Sequence, residues 1–315
     1  MLENIKSVFI LNKLFNNIRN IKKLRILKHN KKMLNRLNIK KEEFMKYKLL
    51  KEFNDKFELD IKDINIKELN LRNKYIYIKN DGLIYLNIFE DLERLNLELN
   101  SISDIELLKN MNFKELKELE IGFNRISEIS ALKKFNFKKL EILNLAGNQI
   151  SDNIKGLENA NFNKLKVLNI SNNNISDISV LEKVNFKILE ELHIGSNPIK
   201  NLNILQNVKF EELKKLDLGF IKSNFNILEK VNFPKLEILN LKDNNISNIE
   251  FLENLKFNEL KILNLSDNKI TDINVLAKVN FKKLVELRLV SNQILDIKVL
   301  ENVNFRNLEI LAINR

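Results

Sequence analysis

The chain has 315 residues, of which 44% are hydrophobic and 30% charged, and it carries a net charge of +11 with only two prolines. Such a composition provides enough apolar residues for a substantial core and excludes an intrinsically disordered polymer. Because the chain has no cysteine, disulfide frameworks, cysteine-ligated zinc and thiol nucleophiles are also excluded.

Residues 1–62 are predicted to form a basic helical segment. Residues 1–40 hold eleven Lys and Arg against one acidic residue. Their apolar residues recur every three or four positions, which predicts two or three amphipathic helices. One interpretation is a small helical cap that docks on the rest of the chain with a solvated basic face. Another is that residues 1–40 contact an acidic membrane surface or nucleic acid.

The start of the chain also bears on location. Residues 1–15 lack a small-residue cleavage site, and no run reaches the roughly 18 apolar residues that a membrane span requires. Asn-x-Ser triplets begin at Asn169 and Asn264, on predicted strands where a glycan would obstruct packing or binding. The sequence therefore predicts a cytoplasmic protein.

A repeat of about 24 residues fills the remainder. Residues 63–91 form a divergent first repeat or cap, in which Ile66, Leu69 and Leu71 begin a copy that ends at Phe89. Residues 92–315 contain about ten copies of L-x-x-L-x-L-x-x-N-x-I-x-x-I-x-x-L-x-x-x-x-F-x-x. The copies begin at Leu92, Leu116, Leu140, Leu165, Leu189, Leu213, Leu236, Leu260, Leu284 and Leu308.

The spacing within the repeat predicts its local structure. The last two leucines of L-x-x-L-x-L alternate with period two, which indicates a short strand with inward leucines and outward residues between them. The Asn that follows can bond backbone groups left unpaired by a tight turn, and stacked copies can form a ladder. The I-x-x-I-x-x-L stretch is too short for a long α-helix and predicts a short helical or 3₁₀ turn on the convex side. The recurring Phe then closes the core.

This pattern resembles the leucine-rich repeat superfamily. The segments Ile126-Ser127-Glu128-Ile129, Ile175-Ser176-Asp177-Ile178 and Ile270-Thr271-Asp272-Ile273 are most similar to the subclass of bacterial internalins and a regulatory subunit of protein phosphatase 1. The resemblance implies an α/β solenoid with a curved parallel sheet on its concave face and short helical or 3₁₀ turns on its convex face. We expect an N-terminal α-helical cap on this solenoid. The resemblance also implies protein binding on the concave sheet.

A short helical module followed by such repeats also resembles the layout of F-box ubiquitin-ligase adaptors. The resemblance rests on the apolar spacing of Leu14-Phe15-Asn16-Asn17-Ile18, of Leu24-Arg25-Ile26-Leu27 and of Leu34. It implies an adaptor that recruits an enzyme through its N-terminal helices.

Two repeats depart from the common length. The copy from Leu140 runs 25 residues, with an extra residue near Asn153. The copy from Leu213 runs 23 residues and has Ile221 at the position of the turn Asn. Either the repeat has drifted, or a bend here presents Phe220 to a partner.

Outward positions of the strands supply the candidate binding residues. His193 is predicted to lie beside Asp217 on one neighbouring strand and beside Asn169 on the other. Small residues at positions such as Gly122 and Gly195 would allow a partner backbone to approach. Because a few aromatic and charged anchors carry most interface energy, the predicted concave-face residues are Glu118, Glu120, Phe123, Glu191, His193, Asp217, Phe220 and Arg288.

The sequence offers no catalytic constellation. It has two histidines and six glycines, and it contains neither G-x-G-x-x-G nor a phosphate-binding G-x-x-x-x-G-K-[ST] motif. We expect no catalytic residue, no metal, no cofactor and no enzymatic activity. The predicted function is a monomeric protein-interaction scaffold, with an enzyme-recruiting adaptor as the alternative. No carboxy-terminal cap is predicted after Arg315, which leaves the last strand edge open or indicates a shortened gene product.

Overall fold

A computed structural model of the chain describes residue 35, residues 41–76 and residues 83–313. An α-helix, α1 (Lys41–Phe57), precedes an 11-stranded sheet in which the strands follow one another in sequence order. The amphipathic helices predicted within residues 1–40 lie outside the described residues, apart from Asn35.

Each strand is three residues long and pairs in parallel with its neighbours, leucine beside leucine, as in Leu95↔Leu119. The buried leucine lies between two outward residues, as in the half-exposed pair Glu118 and Glu120 that flanks Leu119. The strands are β1 (Glu68–Asn70), β2 (Arg94–Asn96), β3 (Glu118–Glu120), β4 (Ile142–Asn144), β5 (Val167–Asn169), β6 (Glu191–His193), β7 (Lys215–Asp217), β8 (Ile238–Asn240), β9 (Ile262–Asn264), β10 (Glu286–Arg288) and β11 (Ile310–Ala312).

The return path of each repeat contains a 3₁₀ helix of four to six residues, as its spacing predicted. These short helices stack on one another along the convex face. They span Leu83–Ile88, Glu106–Asn110, Ser130–Lys134, Asn153–Leu157, Ser179–Glu182, Asn203–Gln206, Asn226–Glu229, Glu250–Asn254, Asn274–Ala277 and Lys298–Asn302.

A single continuous core runs between the sheet and the 3₁₀ helices. The strand leucines and the recurring phenylalanines fill it, and the ring of Phe113 lies 5.8 Å from that of Phe137 in the next repeat. No repeat can bury its apolar face alone, so stacking supplies the stability. The fully buried phenylalanines of the repeat are Phe113, Phe137, Phe162, Phe186, Phe210, Phe233, Phe257 and Phe281.

The turn asparagines form a buried ladder along the edge of the sheet. Asn197, 2% exposed, donates from Nδ2 to the carbonyl oxygens of Ile170, Ile194 and Gly195 at 2.9, 3.0 and 3.3 Å. Its Oδ1 accepts from the backbone N–H groups of Asn173 and Ile175 at 3.2 and 3.1 Å. Each amide thus ties together the backbones of adjacent repeats. The ladder consists of Asn100, Asn124, Asn148, Asn173, Asn197, Asn244, Asn268 and Asn292.

The ladder is interrupted at Ile221, as the sequence predicted. Asn244 compensates by accepting from the backbone N–H groups of both Ile221 and Lys222 at 2.7 Å. Lys222 takes a positive φ of 58°, and the buried Phe225 precedes the 3₁₀ helix where most other repeats have Ile. Strand β7 nevertheless keeps its register with β6 and β8. The missing residue is therefore absorbed in the turn.

Lysine and glutamate alternate along the column of residues that immediately precede the strands. Pairs such as Lys117–Glu93 and Lys214–Glu190 bridge neighbouring repeats at 2.6 and 2.7 Å. Hydrogen bonds from Lys117 and Lys67 lower the pKa of Glu93 to about 2. Exposed ion pairs contribute little individually, but opposite charges on neighbouring strands favour this register over a shifted one. The column reads Lys67, Glu93, Lys117, Glu141, Lys166, Glu190, Lys214, Glu237 and Lys261.

Helix α1 docks on the first repeat through an aromatic cluster. Phe53 is fully buried, with its ring 4.9 Å from Phe57 and 5.2 Å from Phe89. Asn54 holds the chain that leaves the helix, donating to the Ile61 carbonyl at 2.8 Å and accepting its N–H at 3.1 Å. The predicted N-terminal helical cap is thus confirmed for the described residues of this segment.

Candidate binding surface

The outward residues of the strands form columns along the concave face. Glu118 and Glu120 lie on β3, Glu191 and His193 on β6, and Asp217 on β7. The register places His193 beside Asp217 and Asn169 on the neighbouring strands, as the sequence predicted.

A column with left-handed backbone runs beside these residues, at the position before each turn asparagine. Phe123 and Phe220 occupy it with φ of 52° and 59°, and Leu99 with φ of 53°. A bulky residue at positive φ is a conformational outlier that tends to mark a functional site. Other repeats have residues there that adopt this conformation more readily or are small, namely Gly147, Asn172, Ser196, Asp243, Asp267 and Ser291.

The large side chains in this column are also exposed. Phe123 is 46%, Phe220 45% and Leu99 41% exposed. Neither the backbone conformation nor burial in the core accounts for an apolar residue at these three positions.

Gly147 makes room for the ring of Phe123. A Cβ atom on Gly147 would lie 2.5 Å from Cδ1 of Phe123, and Gly147 itself has a φ of +66°. The ring thus lies along the column against the next repeat. Its other face remains available to a partner.

Carboxylates are concentrated where β1 to β3 meet the concave face. Glu98, whose side chain is only 10% exposed, pairs with Arg72 and accepts from Nδ2 of Asn144 at 3.1 Å. Arg94 lies between Glu68 at 3.0 Å and Glu118 at 3.5 Å. These groups surround a concavity of about 480 Å³ lined by Glu68, Leu69, Asn70, Arg94, Leu95, Asn96, Glu98, Glu118 and Glu120.

Glu120 is the carboxylate of this group that lacks an ion-pair partner within the described part of the chain. Burial raises the pKa of Glu120, and the neighbouring Glu98 and Glu118 raise it further, against a hydrogen bond from Asn144 that lowers it. A cationic group brought beside Glu120 would relieve this repulsion. The β3 region is thus suited to a basic ligand group.

A second polar cluster lies on β6 to β8. Nε2 of His193 is 3.1 Å from Glu191, and its Nδ1 is 3.7 Å from Asp217. Burial alone would raise the pKa of Asp217, but hydrogen bonds from His193, the Gly219 N–H and Asn240 outweigh it and lower the pKa. Burial likewise opposes ionisation of Glu191, but its contacts with His193 and Lys215 lower the pKa overall. Both carboxylates are therefore held as anions.

Arg288 stands apart from these residues. It lies on β10, three strands beyond Asp217, and its Nε contacts Glu286 on the same strand at 2.6 Å. The structure thus brings together Glu118, Glu120 and Phe123 near β3, and Glu191, His193, Asp217 and Phe220 near β7, but it leaves Arg288 outside both groups.

Sequence reasoning missed Leu99 and Glu98. Leu99 occupies the same position before a turn asparagine as Phe123, so the register could have identified it. Glu98 lies in the column of outward residues that contains Gly122 and Gly195, where the sequence predicts small residues. The smallness of that column also has a structural reason, because a Cβ on Gly195 would lie 2.7 Å from the Gly219 carbonyl oxygen.

Within the described residues, no group of three or more His, Asp and Glu is arranged to hold a metal ion. Within the same part of the chain, no helix has the length and apolar character to cross a bilayer.

A family model described as leucine-rich repeats, two copies, matches residues 138–183 and 234–278. These stretches contain β4 with β5 and β8 with β9. No curated protein sequence matches the chain significantly.

Solved structures share the fold at low sequence identity. A leucine-rich repeat protein of Leptospira interrogans is 21% identical over 78% of this chain and 72% of its own, with a TM-score of 0.54. The functional domain of InlJ from Listeria monocytogenes is 19% identical over 83% and 58%, with a TM-score of 0.52. The Arabidopsis receptor kinase HAESA, solved with the peptide hormone IDA and the co-receptor SERK1, is 19% identical over 80% and 42%, with a TM-score of 0.53.

Proposed function

By fold this chain is a leucine-rich repeat protein, and from that premise we propose that it is a non-enzymatic scaffold that binds a protein or peptide on its concave face. The observation that carries the proposal is the pair of exposed rings, Phe123 and Phe220, at left-handed backbone positions beside charged strand residues. Aromatic side chains supply large contact area and dominate many protein interfaces. HAESA offers a precedent for peptide binding within this fold.

The proposal separates the stability of the fold from binding. Left-handed backbone costs a bulky L-residue about 1–2 kcal/mol, whereas asparagine adopts it more readily. The variant Phe123→Asn/Phe220→Asn, which copies Asn172, should therefore fold at least as stably as the wild type. A purely structural role for the two rings predicts the opposite.

We expect this double variant to lose partner capture. Immobilised wild-type and variant proteins would be incubated with lysate of the native cell, and captured proteins quantified by mass spectrometry. The captured amount of the partner proteins should be at least about tenfold lower for the double variant than for the wild type, because two interface anchors are removed. The control is Leu295→Asn, which removes an exposed leucine outside the strands and the left-handed column. This variant should capture the same partner proteins as the wild type. Equal capture by the double variant would contradict the proposal.

The alternative, an adaptor that recruits an enzyme through its N-terminal helices, gains no support from α1. Its residues Leu50, Phe53 and Phe57 are buried against the solenoid and are not available to recruit another protein. The other helices predicted within residues 1–40 lie outside the described residues, apart from Asn35. Deleting residues 1–40 and finding the same partners would remove this alternative.

A cytoplasmic location is part of the proposal. Asn169 and Asn264 begin Asn-x-Ser triplets and lie on β5 and β9, in the concave column. A glycan at either position would cover the surface that we propose as the binding face.

A further inference from the structure

The two exposed rings stand at equivalent positions four repeats apart. Phe123 follows β3 and Phe220 follows β7, and both rings precede the position of the turn asparagine. Neighbouring strands lie about 4.8 Å apart, so the two positions are separated by about 19 Å along the sheet. An extended polypeptide covers that distance in about six residues, at about 3.3 Å per residue.

The floor between the rings is uncharged on β4 and β5. Its outward residues are the half-buried Ile142 and Val167 and the amides Asn144 and Asn169. Oδ1 of Asn169 accepts from the Ser171 N–H at 3.0 Å, while its Nδ2 has no hydrogen-bond partner among the described residues. This uncharged part of the floor, with its free amide donor, suits a peptide main chain, which offers one carbonyl acceptor at every residue. Strand β6, which completes the floor, carries Glu191 and His193.

The charge beside each ring determines the charge of the ligand. Near Phe123, Arg94 contacts Glu118, but Glu120 forms no ion pair within the described residues, since Arg72, which acts to lower the pKa of Glu120, is paired with Glu98. Near Phe220, Asp217 is held as an anion, and the largely buried His193 lies 3.7 Å from it. A cationic ligand group close to each ring would be attracted by Glu120 or Asp217, whereas a phosphate or carboxylate would be repelled.

Resting on the proposed function, we infer that the bound segment is an extended polypeptide with two apolar side chains about six residues apart, each followed by Lys or Arg. The apolar side chains pack on Phe123 and Phe220, and the basic side chains pair with Glu120 and Asp217. A nucleic acid and an acidic peptide lack this combination of charge and spacing.

The test uses fluorescein-labelled synthetic peptides and the full chain. The first peptide has Leu-Arg, four Ser or Thr residues and a second Leu-Arg. The second has the two Leu-Arg pairs separated by one residue, and the third has Glu in place of both Arg. Kd is measured by fluorescence anisotropy for the wild type, Phe123→Asn, Phe220→Asn and the control Leu295→Asn.

We expect the first peptide to bind the wild type and Leu295→Asn at least about tenfold more tightly than the other two, because both anchors engage at once. For Phe220→Asn the first and second peptides should have the same Kd, because only Phe123 remains as an anchor. Equal Kd values for the first two peptides, tighter binding of the Glu peptide, or no binding of any peptide would overturn the inference. If capture from lysate still depended on the two rings, the proposed function would survive that result.

Discussion

Replacing Asn197 with alanine is expected to lower the free energy of unfolding by about 3–5 kcal/mol, since each buried backbone group left without a partner costs about 1–3 kcal/mol. The substitution removes five hydrogen bonds of the ladder. It leaves the N–H groups of Asn173 and Ile175 and the carbonyl of Ile194 without the side chain that satisfies them.

Urea unfolding followed by circular dichroism measures this effect. Asn163→Ala is the matched control, because Asn163 is exposed and, within the described part of the chain, donates only to the side chain of Asn161 at 2.8 Å. The control should stay within about 0.5 kcal/mol of the wild type, as most surface substitutions do. A loss below about 1 kcal/mol for Asn197→Ala would show that water replaces the ladder bonds, and would contradict this account of the turn.

Replacing Phe53 with alanine is expected to lower the free energy of unfolding of the amino-terminal end by about 3–5 kcal/mol, as is usual when a fully buried aromatic ring is deleted. Phe53 joins α1 to Phe89, and its ring also lies 6.3 Å from that of Tyr85. Because repeats contact only their neighbours, the damage should be local. Hydrogen exchange should quicken in α1 and β1 while β9 keeps its protection.

Met45 on the same helix provides the control for Phe53. Its side chain is exposed, so Met45→Ala should leave exchange in β1 unchanged. If Phe53→Ala altered exchange equally in β1 and β9, the solenoid would unfold as one cooperative unit. If it altered neither, α1 would not act as a cap.

The fold could be predicted because the same residue pattern recurs in every repeat. A single Leu119 or Phe137 is ambiguous, but ten copies at constant spacing fix strand, turn and core positions together. The short 3₁₀ helices, the parallel order and the asparagine ladder were predicted correctly, and so was the exposure of Phe123 and Phe220. The structure adds an eleventh strand, β1, within the divergent first repeat.

The candidate surface was only partly predictable, because its features depend on backbone angles and on contacts between repeats. Leu99 shares the register position of Phe123, but a leucine attracts no notice in a leucine-rich pattern, and its positive φ is seen only in the structure. The pairing of Glu98 with Arg72 joins residues 26 positions apart. The close approach of Gly195 to Gly219 likewise arises only when strands stack.

The central claim is that the concave face binds a polypeptide, and site-specific photo-crosslinking tests it most directly. A benzophenone side chain would replace Asn169 on the concave face or, in a second protein, the exposed Asn254 on the convex 3₁₀ helix Glu250–Asn254. Asn254 lines an open groove on that face, so it is equally accessible to a partner. In native lysate, position 169 should crosslink to a discrete polypeptide and position 254 should not. Crosslinking at 254 with none at 169 would contradict the claim.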